Sequence, residues 1–382
     1  MWPLEFLSGL KDLSLNLWNS LLGGPLIPLF QQVKGQLPAA ACDCLTALGS
    51  STFSELDSRL QSLCVSLIFG CAGHEEPTVR AAAIQVIGTF LSYPSLVSDV
   101  QFVSDASKSV VDLMTDKSLF VRMKASWALA NLSDIFLVES SMKSCLVISP
   151  LLKTCMNAAQ DHDKVKWHGV RALGNILRVI SDSELETLQK EDIISATTIL
   201  ITNASSSSLM KVRWNACYAI GNLLKNTYLH LYSTDWQSNA FKMLSNLALE
   251  CSNFKVRSTA CAALVSVPSR ELYKEHYLPL WPTFIQALEN SQSITDFTEY
   301  KHQHNLIDQI CLSISYLAKL CRPEDLDHIE EILIVNFEML KDNYVKFHIE
   351  SYPKNQASYR KLQVTFYLFL TLVMFQKGAL KL

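Results

Sequence analysis

Three observations on this 382-residue sequence predict an all-α fold, a solenoid of stacked helical repeats. The first is a recurring helix template. Within Lys211–Leu223, the apolar residues Val212, Ala216, Ala219, Ile220 and Leu223 stand at i, i+4, i+7, i+8 and i+11, one face of a helix. The same offsets give Val79, Ala83, Val86, Ile87 and Phe90, then Val121, Ala125, Ala128, Leu129 and Leu132, and later Val256, Ala260, Ala263, Leu264 and Val267. Val165, Gly169, Ala172, Leu173 and Ile176 fit with one Gly in place of Ala. Fainter copies begin at Leu37 (Ala41, Cys44, Leu45, Leu48) and at Leu306 (Ile310, Ser313, Ile314, Leu317). The second observation is the spacing of these origins, 42, 42, 44, 47, 44 and 50 residues, the period of two- or three-helix repeats. Such units cannot bury their apolar faces alone and so stack into one continuous core. The third is composition. A hydrophobic share of 49% against 18% charged marks an ordered chain with much surface to bury, and twelve Gly and twelve Pro are too few for a turn-rich β fold.

Taken in order, residues 1–36 read as two apolar helices broken by Gly23-Gly24-Pro25 and Pro28. Leu13, Leu15, Leu17, Trp18, Leu21 and Leu22 open the array without a polar capping repeat, so a piece or isoform of a longer protein is expected. No basic residues precede the first apolar ones, and a secretory signal is not expected. Residues 37–50 form the first template helix. A partner helix follows over about 54–71, with Leu56, Leu60, Leu63, Leu67 and Ile68 on one stripe. His74-Glu75-Glu76-Pro77 is a turn, with Pro77 placed where a helix tolerates a missing N–H. Helices then alternate over about 95–114, 118–138, 140–157, 163–180, 185–203, 209–226, 234–250 and 253–267, with Asp116, Asp161 and Ser207 marking turns. The four serines 205–208 read as a polar linker, or else as a modification site. Pro268, Pro279 and Pro282 are expected to interrupt the pattern, and 291–304 to form a polar insertion carrying His302 and His304. Helices resume over about 306–320 and 323–340. The apolar run Val364–Phe375 is twelve residues long, short of the roughly 17 to 25 of a spanning helix. It reads as a short buried closing helix, an end outside the repeat design, or a tail anchor.

The segments Val121-Arg122 to Asn131-Leu132 and Val212-Arg213 to Asn222-Leu223 resemble the second helix of HEAT and armadillo repeats, which read Val-Arg, small residues, then Ala-Leu-Gly-Asn-Leu. The resemblance spans roughly 37–320 and implies a right-handed α-solenoid of stacked HEAT/armadillo-like helical repeats. The expected organisation is apolar helices over 1–36, the repeat array over 37–320, C-terminal helices over 321–353 and an apolar tail over 354–382. A basic residue follows each template origin: Arg80, Arg122, Lys166, Arg213 and Arg257. In HEAT repeats it pairs with an Asp of the preceding turn, and Asp116 stands six residues before Arg122 as that pairing requires.

Offsets +2, +6 and +10 form a second ridge beside the buried one. In consecutive copies it reads Met123-Trp127-Asn131, Trp167-Arg171-Asn175 and Trp214-Tyr218-Asn222; upstream it is Ala81-Gln85-Thr89, and downstream it fades to Ser258-Ala262-Ser266. Trp127 to Asn131 is similar to the Trp-x-x-x-Asn pattern of importin-α-like armadillo proteins. The resemblance implies a concave groove in which Asn side chains bind the backbone of an extended peptide and Trp residues form slots. An Asn amide offers both donor and acceptor to such a backbone, and Trp and Arg dominate interface energetics. Arg171 and Tyr218 stand where the pattern has Trp, and no acidic residues line up to receive a basic signal. The competing reading has the Asn residues bonding neighbouring segments and the aromatics packed half-buried between helices.

Other chemistry is not evident. There is no Gly-rich phosphate loop, no His-Glu-x-x-His and no nucleophile elbow, so no enzyme activity and no cofactor is expected. A net charge of −3 without a basic run argues against nucleic acid, and no small-molecule substrate is implied. Eleven scattered Cys, with Cys42-Asp43-Cys44 lacking the paired spacing of a zinc site, point to a reduced intracellular environment, cytoplasmic or nuclear. The expectation is a scaffold for a protein or peptide partner, centred between Met123 and Asn222. The alternatives are a transport-receptor-like binder of an extended peptide and a membrane-attached adaptor.

Overall fold

The computed structural model describes residues 15–32, 36–138, 148–232, 235–292 and 297–350. All regular structure among them is helical. The described residues group into two compact units, one holding those up to 179 together with 183–188, the other 180–182 and those from 189 onward. The apolar tail from 354 lies outside the described residues. No helix among the described residues is long and apolar enough to cross a membrane.

Numbering the helices of eight residues or more, the first unit contains α1 (Leu15–Leu22), α2 (Leu37–Leu45), α3 (Ser58–Ala72), α4 (Pro77–Phe90), α5 (Val100–Leu113), α6 (Leu119–Val138), α7 (Ile148–Ala158) and α8 (Asp163–Val179). The template helices α2, α4, α6 and α8 pack one on the next as a layer. Each partner helix packs on the template helix that follows it: α3 on α4, α5 on α6 and α7 on α8. The second unit repeats the plan with α9 (Lys190–Ser206), α10 (Met210–Leu224), α11 (Asp235–Glu250), α12 (Phe254–Leu264), α13 (Tyr277–Asn290), α14 (Tyr300–Leu320), α15 (Pro323–Val335) and α16 (Phe337–Glu350). Here α10, α12 and α14 form the template layer, and α9, α11, α13 and α15 the partner layer.

The template face is the core. Every template position of the seven copies is buried except Leu37, which opens its helix and is 45% exposed. Gly169 has a steric reason for replacing Ala. A Cβ there would lie 2.4 Å from the backbone carbon of Ala158, so only Gly lets α8 approach the end of α7 this closely.

Several boundaries differ from expectation. The helix expected over 54–71 is broken at extended Leu56, and α3 starts afresh after Asp57, whose carboxylate accepts from the Leu60 N–H at 2.9 Å. Asp99 caps α5 in the same way, and the stretch before it is only the short turn of helix Pro94–Val97. Pro279 and Pro282 do not interrupt the chain; both lie inside α13. Pro279 occupies the first turn, where no N–H is needed. Pro282 is interior, at a cost of about 3 kcal/mol, which complete burial of Trp281, Phe284 and Leu288 outweighs at about 1.5–3 kcal/mol each. The serine run is likewise no linker at its start. Ser205 and Ser206 close α9, their hydroxyls donating to the carbonyls of Ile201 and Thr202 at 3.0 and 2.7 Å. His302 and His304 stand in α14 rather than in an insertion. The described part of that insertion supplies Glu299, whose carboxylate accepts from Asn253 Nδ2 at 3.0 Å and from the Phe254 N–H at 2.8 Å, at the start of α12.

The basic ladder also pairs differently. Asp116 does not give its carboxylate to Arg122. It gives it to Arg80, 36 residues upstream, which donates from Nε at 2.7 Å and from Nη2 at 3.1 Å. Arg122 takes the backbone carbonyl of Asp116 at 2.9 Å and sends its fork forward to Asp161, at 2.7 and 3.2 Å. Each Arg thus joins its own turn to the turn of the next repeat. In the second unit the ladder ties off helix ends instead. Arg213 donates to the Ala204 carbonyl at 2.9 Å, and Arg257 to those of Ala248 at 2.8 Å and Ala287 at 3.1 Å.

Candidate interaction surface

In the first unit, α4, α6 and α8 present their second ridge side by side. Gln85 from α4, Met123 and Trp127 from α6 and Trp167 from α8 come together around a cleft of about 280 Å³. Lys124, Lys164 and His168 complete its lining. Trp127 is seated on Gly88 of α4, where a Cβ would stand 2.7 Å from the indole. The Trp167 and His168 rings meet edge-on with centroids 5.2 Å apart.

The rest of the ridge is occupied within the protein. Asn131 donates to the Gly88 carbonyl at 3.0 Å. Asn175 is fully buried, its Nδ2 donating to Ser133 Oγ at 3.0 Å and Asp134 Oδ1 at 2.7 Å. Arg171 pairs with the other oxygen of Asp134. Burial pushes the Asp134 carboxyl above its ordinary range, and Arg171 and Asn175 pull back against that. Asn131 and Asn175, read from sequence as peptide-backbone ligands, therefore join α6 to its neighbours on either side; Asn131 is half-buried, and the outer part of Arg171 is open to solvent.

In the second unit the ridge lies on α10. Trp214 is half-buried with the Lys255 ammonium 5.0 Å from its ring centroid, Tyr218 is 40% exposed, and Asn222 is buried. The same division recurs: aromatic residues at the surface, Asn beneath it.

Lys124, Lys164 and His168 were not among the residues singled out from sequence. They stand at offsets +3, −1 and +3 from their template origins. At about 100° per residue, −1 falls within the arc of the +2, +6 and +10 ridge and +3 at its edge. A helical-wheel count over that arc would have found them.

No family model matches the chain. Among curated proteins it is similar to an uncharacterised protein of Dictyostelium discoideum, 23% identical over 428 aligned positions that cover 82% of this chain and 28% of that protein. It is also similar to importin subunit beta-1 of Saccharomyces cerevisiae, 25% identical over 104 residues, 27% of this chain and 12% of the importin. The chain thus spans under a third of the length of either relative. Among solved structures, an engineered protein aligns over 96% of this chain and 94% of its own, with 14% identity and a TM-score of 0.55. A computationally designed armadillo repeat protein for modular peptide recognition aligns over 65% of this chain and 100% of its own, with 18% identity and a TM-score of 0.49. With the alternating template and partner layers, the fold likeness to the engineered protein that aligns over 96% of the chain makes it an all-α solenoid of stacked helical repeats.

Proposed function

We propose that the chain is a non-catalytic protein-binding scaffold of the HEAT/armadillo type, working inside the cell, in cytoplasm or nucleus. The observation that carries this is the cleft in the first unit. It gathers Met123, Trp127 and Trp167 from two successive repeats at one accessible place. The proposed contact surface is the accessible part of the ridge: Met123, Trp127, Trp167 and Arg171, with Trp214 and Tyr218 as a further patch on the second unit. Asn131, Asn175 and Asn222 support these positions from within. The resemblance of the whole repeat pattern further supports a relation to the C-terminal part of HEAT repeat-containing protein 6. The likeness to importin subunit beta-1 favours a second reading, in which the same side chains take an extended peptide as a transport receptor would.

A photo-crosslinking amino acid at Met123 tests the placement. Partners in cell extract are expected to crosslink from Met123 and not from exposed Lys108 on α5, in the partner layer. Trp127→Ala combined with Trp167→Ala is expected to remove that crosslink while helicity by circular dichroism is kept. Equal crosslinking from both layers, or an undiminished product in the double variant, would count against the surface.

A further inference from the structure

Resting on the scaffold reading, we propose that the first-unit cleft selects an acidic peptide segment of its partner. A carboxylate would lie against Lys124 and Lys164, and a neighbouring apolar side chain between Trp127 and Trp167. Three features carry this. The ionisable side chains of the lining are Lys124, Lys164 and His168, with no carboxylate among the lining residues. Neither lysine takes part in an ion pair among the described residues; the Lys124 ammonium stands 5.8 Å from the centroid of the Phe120 ring. The cation is held over an aromatic face, and the internal carboxylate that acts on it, Asp43, forms no ion pair with it among the described residues. This contrasts with Arg80, Arg122 and Arg171, each committed to an Asp of its own chain.

Size limits the occupant. About 280 Å³ falls just short of the range of roughly 300–1,000 Å³ for ligand pockets and takes one or two side chains, with the rest of a peptide running across the surface. The mixture of two indoles with two ammonium groups would also suit a stacked nucleic-acid base. A single strand, however, needs a cationic track along its backbone, and the chain has a net charge of −3 with no basic run. The charge balance favours a short acidic peptide.

The test uses the full chain and three fluorescein-labelled probes of twelve units: a peptide alternating Glu and Leu, its Lys and Leu counterpart, and oligothymidylate. Fluorescence polarisation is expected to give at least tenfold tighter binding of the Glu peptide than of either other probe. That affinity should fall as salt is raised. Lys124→Glu with Lys164→Glu is expected to weaken the Glu peptide at least tenfold and to strengthen the Lys peptide. Trp127→Ala is expected to weaken both peptides. Absent or equal binding of the two peptides, tighter binding of oligothymidylate, or an unchanged preference after charge reversal would overturn the assignment. If charge reversal leaves the Met123 crosslink to the cellular partner intact, the acidic specificity fails and the scaffold reading stands; if the two Trp substitutions also leave it intact, both fail.

Discussion

Asp116 serves two arginines with different atoms, its carboxylate bonded to Arg80 and its carbonyl to Arg122. Removing the carboxylate charge leaves the carbonyl in place. Asp116→Asn is expected to lower stability by about 2 kcal/mol, the scale of a charge-assisted hydrogen bond in a partly buried setting. In double-mutant cycles read by denaturant midpoint, it should couple strongly with Arg80→Ala and weakly with Arg122→Ala. Strong coupling to Arg122 would contradict the geometry. The sequence presented Asp116 and Arg122 as the pair because six residues separate them. Contact between successive repeats depends on how far one helix layer is offset from the next, which no local spacing records. The same holds for Asn175, whose amide reaches Ser133, 42 residues away.

At the scale of the element, the glycines of the helices divide by what surrounds them. Gly169 faces the backbone of Ala158 and Ala159 at 2.4 to 2.6 Å, whereas Gly70 in α3 has nothing within 4 Å of an added Cβ. Gly169→Ala is expected to destabilise the protein by about 1–3 kcal/mol, because two helices must separate. Gly70→Ala is expected to stabilise it by about 0.5–1 kcal/mol through the backbone alone. Thermal denaturation of the two variants checks both signs, and a neutral Gly169→Ala would mean that the α7–α8 approach is looser than described. Periodicity revealed which faces of the template helices are buried, because burial of one stripe is what a repeating apolar spacing encodes. It did not reveal the breaks at Leu56 and before Val100, where Asp57 and Asp99 offer the backbone a cap within stretches whose apolar spacing continues across them. Nor did it reveal that α13 runs through Pro282, a choice made by the packing of Trp281 and Phe284.

Across the whole molecule, the inter-repeat bridges make stability depend on acid. At Asp116 and Asp161 burial works to raise the carboxyl, but hydrogen bonds from Arg80 and Arg122 outweigh it and hold both below the ordinary range. Arg270 does the same for Asp325. A carboxyl depressed in the folded state contributes stability that is complete above its unfolded value, about 3.9, and is lost as pH falls through the folded value. Asp43 and Asp134, raised by burial, act in the opposite sense. Denaturation midpoints measured from pH 7 to pH 3 should therefore drop below about pH 4. The Asp116→Asn, Asp161→Asn, Asp325→Asn variant should be less stable at neutral pH and lose less on acidification. An identical acid slope in the two proteins would rule these bridges out as its source. At this scale the helical-repeat fold class was legible, since its period and template are linear properties of the chain. The cleft was legible in part: Met123, Trp127 and Trp167 were on the ridge, while its cations fell outside the three offsets that defined it.

The seating of Trp127 on Gly88 bears on how such a surface is inherited. The floor of the slot belongs to one repeat, the indole to the next, and the facing wall of Trp167 and His168 to the one after. Duplicating any single repeat would lengthen the array and keep its core, because stacking is encoded within each copy. It would not create a second cleft. The smallest transplantable block is the three-repeat segment from Ser58 to Val179, and a graft that carries less transfers scaffold without recognition.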